Sequence, residues 1–250
     1  MKKILVLGAG RSATTLIDYL ISNSEENNWF VTVADFSVEL AKEAVGNSEN
    51  GKAIFFNVTD DKQRESEISD ADIVISMLPA SMHILVAEDC VRLHKNLVTA
   101  SYVSKEIAAL DEKAKKAGVL LLNEIGLDPG IDHMSAMQVI DEIKENGGEL
   151  TSFKSYCGGL VHPDYDNNPW NYKFTWNPRN VVLAGQGGVK FIQESRYKYI
   201  PYHKVFSRTE KLHIGNVGAF EGYANRDSLK YREVYGLENI PTLYRGTLRR

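Results

Sequence analysis

The N-terminal turn constrains the fold more tightly than any other stretch of this chain. An apolar run, Ile4-Leu5-Val6-Leu7, breaks into Gly8-Ala9-Gly10-Arg11-Ser12-Ala13, and apolar residues then recur at Leu16, Ile17 and Leu20 with helical spacing. Strand, tight turn and helix in that order, with the pattern Gly-x-Gly-x-x-Ala, form the phosphate-gripping turn of dinucleotide-binding domains. Gly8 permits the turn, Gly10 lets a pyrophosphate approach the backbone without meeting a Cβ, and Ala13 keeps helix and strand close. The helix N-terminus then offers free N–H groups to the anion. Gly8, Gly10, Arg11, Ser12 and Ala13 are therefore expected to hold a cofactor.

Glycine spacings of this kind also occur in loops that bind nothing, so the surrounding pattern decides the reading. A second apolar strand, Phe30-Val31-Thr32-Val33-Ala34, ends in Asp35. That position, about twenty residues past the turn, is where an acid accepts hydrogen bonds from ribose hydroxyls. An acid there also repels a 2′-phosphate, which favours NAD over NADP. The competing role for Asp35 is N-cap of a helix over 38–45, a role Ser37 also fits.

The alternation continues. Strands are predicted over 52–58, 71–76, 97–99 and 119–122, with helical patterns at 62–69, 81–94 and 104–117. Repeated βα units of this length require a parallel sheet with helices on both faces, an α/β doubly wound Rossmann-type fold. Ligands of such sheets lie at the carboxyl ends of the strands. The cofactor candidates are therefore Asn57 and Val58, Leu78 and Pro79, Ala100 and Ser101, and Ile125. Past residue 123 the character changes to a mixed α+β region: a turn at 126–130, a helix from Ile131 to Glu145, strand-like runs over 150–157 and 189–199, and a polar aromatic loop over 164–176. Asn177-Pro178 reads as a helix N-cap and first helical residue. We place the domain boundary between 1–124, for nucleotide, and 125–250, for substrate and as a dimerisation candidate; the latter is expected to be incomplete because the last residues show no stop signal.

Composition excludes several classes. A formal charge of −4 supplies no basic field for nucleic acid. No apolar run approaches membrane-spanning length, and the first apolar segment is too short for a signal peptide, so a cytoplasmic protein is expected. Cys90 and Cys157 lack CxxC spacing and read as reduced thiols, while the six histidines show no compact ligand spacing, so no metal is expected.

Four segments carry a resemblance: Asn123-Glu124-Ile125-Gly126-Leu127-Asp128-Pro129-Gly130-Ile131-Asp132-His133, Ser155-Tyr156-Cys157-Gly158-Gly159-Leu160, Asn225-Arg226-Asp227-Ser228 and Arg245-Gly246-Thr247-Leu248-Arg249. With the Gly-rich turn they closely resemble the glutamate-forming saccharopine dehydrogenases, also called saccharopine reductases. The resemblance implies a nicotinamide cofactor, and oxidation of saccharopine to glutamate and 2-aminoadipate 6-semialdehyde or the reverse imine reduction. It implies substrate contacts at Ser101, Tyr102, Asp128, Arg226, Thr247, Leu248 and Arg249, since planar guanidinium groups suit the carboxylates of saccharopine. Asp128 and Tyr102 are the candidates to position or relay a proton at the imine; Asp128 as a turn-former and Tyr102 as a packed phenol are the alternatives. Arg245 is a third clamp or a salt-bridge partner, and Cys157 reads best as an inert thiol. Two departures stand out. Asp35-Phe36 occupies the place of a basic residue in the fungal NADP enzymes, and Val161-His162-Pro163 interrupts the family's Gly-Gly-Leu-Pro-Ala-Pro segment. The competing functions are a carboxynorspermidine dehydrogenase-like enzyme and a non-catalytic NAD-binding sensor. A homodimer is a further expectation.

Overall fold

The computed structural model describes residues 1–176, 178–184 and 187–250, which form two compact units, Met1–Ile131 and Asp132–Arg250. In the first unit, chain order runs β1 (Lys2–Leu7), α1 (Thr14–Ser22), β2 (Trp29–Asp35), α2 (Val38–Val45), β3 (Gly51–Phe55), α3 (Asp61–Asp70) and β4 (Ile73–Ser76). A single 3-10 turn (Ala80–Met82) then leads into α4 (His83–Arg92), β5 (Asn96–Thr99), α5 (Lys105–Ala108), α6 (Asp111–Ala117) and β6 (Leu121–Leu122). All six strands are parallel, in the order β3-β2-β1-β4-β5-β6. Strand order reverses direction between β1 and β4, the switch point where doubly wound sheets bind ligand.

Alternating residues of β1 feed two separate cores, because successive side chains of a strand face opposite sides. Ile4 and Val6 pack with Val31, Val33, Ile17 and Leu20 on one face, while Leu5 and Leu7 pack with Val74, Leu97, Val86 and Ile68 on the other. Beneath the second face lies a buried ion pair, Arg64 Nε to Asp89 Oδ2 at 2.6 Å; Arg64 also donates to the Val58 carbonyl at 2.6 Å. The expected continuous helix over 104–117 is instead two helices, with the chain tightening between them where the Leu110 N–H bonds the Ile107 carbonyl three residues back. Similarly, the helix expected over 81–94 starts as a 3-10 turn after Pro79.

The second unit is entered through α7 (Ile131–Glu145), followed by β7 (Ser152–Cys157), a 3-10 turn (Pro163–Tyr165), α8 (Pro178–Ala184), β8 (Val189–Gln193), β9 (Arg196–Ile200) and α9 (Tyr202–Val205). It ends with β10 (Thr209–Ile214), β11 (Gly218–Ala224), α10 (Tyr231–Val234) and β12 (Thr242–Arg249). The cap expected at Asn177-Pro178 has its first residue outside the described residues. The sheet runs β10-β11-β12-β8-β9, mostly antiparallel, with β7 added parallel to β12. The strand latest in sequence thus pairs with three others, and α7 packs Ala136 and Ile140 against Leu243, Ile192 and Tyr235.

One sequence expectation is corrected here. The run over 189–199 is a hairpin, not a single strand: Glu194 and Ser195 both take left-handed backbone conformations, at φ 51° and 61°. Two successive positive φ values suit the twist of a two-residue hairpin, usually by way of Asn or Gly. Tertiary bonds hold these ill-suited residues, with the Glu194 N–H on Thr242 Oγ1 at 3.0 Å and the Ser195 N–H on the Pro241 carbonyl at 2.8 Å.

Candidate functional site

The Gly-rich turn sits at the switch point of the parallel sheet. Gly8 has φ +104°, and a Cβ placed there would stand 3.0 Å from the Met77 carbonyl oxygen, so glycine answers both the turn and the close approach of the loop after β4. Gly10 faces open space, with nothing within 4 Å of its would-be Cβ, and Arg11 and Ser12 beside it are exposed. Ala13, at the N-cap of α1, is buried and supplies no side-chain cap. An uncapped helix N-terminus beside an open glycine fits a pyrophosphate.

Asp35 closes β2 against this turn. Its Oδ2 accepts from the Ala9 N–H at 2.7 Å and its Oδ1 from the Ser37 N–H at 2.8 Å. Ser37 itself caps α2 by accepting from the Leu40 N–H at 3.4 Å, so the cap belongs to Ser37 and the carboxylate braces the Gly-rich turn. Each carboxylate oxygen retains a lone pair for a ribose hydroxyl.

The remaining candidates of the first unit follow the carboxyl ends of β3 to β6. Asn57 is half-buried and its Oδ1 accepts from the Thr59 backbone at 3.1 Å, whereas the Val58 side chain belongs to the core and leaves only its backbone for a ligand. Leu78 and the exposed Pro79 follow β4; Ala100 and Ser101 follow β5. The Ile125 N–H reaches the Thr99 carbonyl at 3.3 Å, which draws the turn after β6 to the end of β5. There the two proton-relay candidates meet: the Tyr102 hydroxyl donates to Asp128 Oδ1 at 2.8 Å, both residues being half-buried.

Sequence reasoning did not single out His83, the first residue of α4. It is 1 % exposed, with Nδ1 2.8 Å from Ser76 Oγ and Nε2 2.7 Å from Ser101 Oγ. Burial pushes its pKa down to about 4, so the ring is neutral. The signal available beforehand was a lone histidine opening a helix just past a strand end, which is too common a pattern to select.

In the second unit, the other implied substrate residues gather around β12. Its alternation places Arg245, Thr247 and Arg249 on one side of the strand, with Leu248 on the other and buried at 6 % exposure, so that residue offers a ligand its backbone only. Arg249 Nη1 donates to the Leu248 carbonyl at 2.8 Å, and its guanidinium lies 5.3 Å from the Tyr172 ring centroid. Arg226 is exposed, with φ 48°, in the segment after β11 that is stitched to its neighbours by the Asn225 N–H on the Arg245 carbonyl and the Ser228 N–H on the Lys190 carbonyl. Arg245 resolves as the salt-bridge partner of its two alternatives: Nη2 meets Asp132 Oδ2 of α7 at 2.6 Å, and both side chains are buried.

Cys90 is buried and its thiol is pushed up to about 12, chiefly by burial; Cys157 closes β7 and is half-buried. Among the described residues no cluster of three or more His, Cys, Asp or Glu is placed to hold a metal, and no helix is long and apolar enough to cross a membrane.

Comparison with known proteins accounts for both units. The saccharopine dehydrogenase NADP binding domain matches residues 4–122, and the saccharopine dehydrogenase C-terminal domain matches residues 126–250. Alpha-aminoadipic semialdehyde synthase of Arabidopsis thaliana is 40% identical over 266 residues, covering 98% of this chain and 25% of that protein. Saccharopine dehydrogenase [NADP(+), L-glutamate-forming] of Saccharomyces cerevisiae is 38% identical over 248 residues, covering 99% of this chain and 55% of that enzyme. The solved structure of the apo, histidine-tagged glutamate-forming saccharopine dehydrogenase from the same yeast superposes with a TM-score of 0.90 at 38% identity, over 100% of this chain and 55% of the other. This chain therefore spans about half the length of the fungal enzymes and about a quarter of the plant one. A pyridine nucleotide is the cofactor class these matches support, but they carry no preference for NAD; the names they bear lean toward NADP. With both of its units matched in order, the chain belongs to the saccharopine dehydrogenase family.

Proposed function

We propose that this chain supplies the nucleotide-binding and substrate-binding parts of an oxidoreductase that oxidises saccharopine to glutamate and 2-aminoadipate 6-semialdehyde, or runs the reverse imine reduction. The observation that carries the reading is the Tyr102–Asp128 hydrogen bond at the carboxyl edge of a nucleotide-binding sheet. A nicotinamide nucleotide held at this sheet edge would supply the chemistry of accepting hydride from the carbon beside the secondary amine. Tyr102 and Asp128 together hold a proton that can be passed to or from the nitrogen and the attacking water. Arg226 and Arg249 supply fixed positive charge for the carboxylates of the substrate, with Thr247 and the Leu248 backbone as neighbouring hydrogen-bonding groups. The carboxynorspermidine and sensor readings are not favoured by the plant and fungal relatives described above.

Within the pyridine nucleotides, the proposal is NAD, on the physical ground that Asp35 places a carboxylate beside the ribose position and repels a 2′-phosphate. NADP is the second reading, favoured by the description of the matching domain and by the names of the fungal relatives. A division of labour between 1–124 for nucleotide and 125–250 for substrate, a homodimer and a cytoplasmic setting complete the proposal; the mouse relative is named as mitochondrial.

The test is absorbance at 340 nm with saccharopine and either nucleotide. Saccharopine-dependent reduction of the nucleotide supports the reading, and a higher kcat/KM with NAD supports Asp35 as selector. A protein that binds reduced nucleotide yet leaves it unchanged with every substrate of the reaction overturns it.

A further inference from the structure

We propose that His83 is a positioning residue that fixes the Ser101 hydroxyl as a hydrogen-bond donor to a ligand oxygen, carboxamide or carboxylate, bound over the carboxyl ends of β4 and β5. The inference rests on the nucleotide-binding reading of this sheet edge.

Three elements converge on one ring. Ser76 ends β4, Thr99 ends β5 with Ser101 two residues beyond, and His83 opens α4. The Ser76 side chain is completely buried, and among the described residues its hydroxyl meets only His83 Nδ1, at 2.8 Å. A buried hydroxyl proton needs an acceptor, so the network assigns Ser76 as donor and Nδ1 as acceptor. A neutral imidazole then carries its proton on Nε2 and donates it to Ser101 Oγ at 2.7 Å. The opposite tautomer strands the Ser76 proton and offers Thr99 Oγ1 only a 3.5 Å approach to Nε2, at the limit of a hydrogen bond.

With its oxygen accepting from Nε2, Ser101 keeps its own proton to give away. Its backbone is fixed as well, by its N–H on Thr99 Oγ1 at 3.3 Å. Ser101 is only half-buried, so its hydroxyl can meet a ligand. Folding alone does not call for this arrangement, since exchanging both members of a buried hydrogen-bonded pair for apolar groups of the same shape is close to neutral. What the ring supplies is orientation: a donor held in place at the edge where the ligand lies, aimed at an acceptor and unsuited to a donor. The nicotinamide carboxamide and a substrate carboxylate both present such an oxygen.

The experiment compares wild type with His83→Leu, His83→Gln, Ser76→Ala, Ser101→Ala and the double variant His83→Leu/Ser101→Ala in the full chain. Three quantities are read: fluorescence titration with NADH and NADPH, competition by ADP-ribose, which lacks the ring and its carboxamide, and kcat/KM for saccharopine. His83→Leu and Ser101→Ala are each expected to lose about tenfold, and the double variant no more than either. Loss in reduced-nucleotide affinity with ADP-ribose unchanged identifies the carboxamide as partner; loss in kcat/KM with both affinities unchanged identifies a substrate carboxylate. His83→Gln, whose amide can place an N–H near Nε2, is expected to recover to within about threefold. The proposal is overturned if His83→Leu stays within twofold of wild type while Ser101→Ala is impaired, if the two losses multiply, or if ADP-ribose affinity falls equally. Should His83→Leu not fold, Ser76→Ala decides in its place: it must lower the same quantity as Ser101→Ala, and an unchanged value overturns the proposal. Absence of saccharopine turnover in wild type counts against the proposed function, and the nucleotide titrations still decide the role of His83.

Discussion

The Tyr102 hydroxyl donates to Asp128 Oδ1 across a 2.8 Å hydrogen bond that joins the loop after β5 to the turn before α7, residues 26 apart in sequence. A phenol bonded to a carboxylate can pass a proton outward without leaving either charge isolated. Tyr102→Phe and Asp128→Asn should each lower kcat for saccharopine by about 10²–10⁴-fold, the usual worth of a proton-transfer group, with reduced-nucleotide affinity within threefold of wild type. Steady-state kinetics alongside nucleotide titration checks this; a tenfold or smaller effect on kcat removes the pair from proton transfer.

Asp35→Asn retains an acceptor for the Ala9 or Ser37 N–H while removing the charge proposed to meet the ribose. If the carboxylate is the selector, the ratio of kcat/KM with NADP to that with NAD should rise by at least about tenfold, corresponding to ~1.4 kcal/mol of lost discrimination. An unchanged ratio assigns Asp35 to bracing the turn alone.

Arginine holds a carboxylate through a planar fork that lysine cannot reproduce. Arg249→Lys and Arg226→Lys should raise KM for saccharopine about tenfold or more while leaving nucleotide affinity unchanged. Equal effects on nucleotide and substrate would show a change in folding instead, which the melting temperature would register.

The Arg64–Asp89 pair is a structural counterpart, with both residues under 10 % exposed. Asp89→Ala leaves a guanidinium buried without its main partner and should cost about 3–5 kcal/mol of stability by denaturant unfolding. Replacing both, as in Arg64→Met/Asp89→Leu, should recover most of that loss, although the Val58 carbonyl then also loses its donor.

Buried neutral His83 also imposes a pH dependence. Burial lowers its folded pKa from 6.5 to about 4, so as pH falls through 6.5 the unfolded chain takes up a proton that the folded chain refuses. This contribution is fully present above pH 6.5 and is lost progressively down to about pH 4. Over that window the stability of wild type should fall by roughly 3 kcal/mol more than that of His83→Gln, at 1.36 kcal/mol per pKa unit. Parallel unfolding curves of the two proteins at pH 7 and pH 4.5 would show instead that the ring titrates normally.

Much of the first unit is legible in the sequence. Its strands carry continuous apolar runs, its turns carry Gly and Pro, and the βα alternation calls for a parallel sheet, whose strand order the structure then supplies. The second unit is less so. The hairpin at Glu194-Ser195 lacks Asn or Gly, and the left-handed backbone there is held by Thr242 and Pro241, about 47 residues away in sequence. β12 was hidden for a similar reason, because Arg245 sits at a buried position that reads as surface until Asp132 is seen opposite it.

By itself the sequence determined the parallel sheet, the Gly-rich turn and the family, because these rest on local periodicity and on residues whose chemistry acts through short stretches of backbone. Tertiary structure alone decided that Ser37 caps α2 while Asp35 braces the turn, that Arg245 is bound to Asp132, and that His83 bridges Ser76 and Ser101. The physical reason is common to all three. A polar side chain takes its role from the partner that satisfies it, and in a folded chain that partner is commonly supplied by a distant segment.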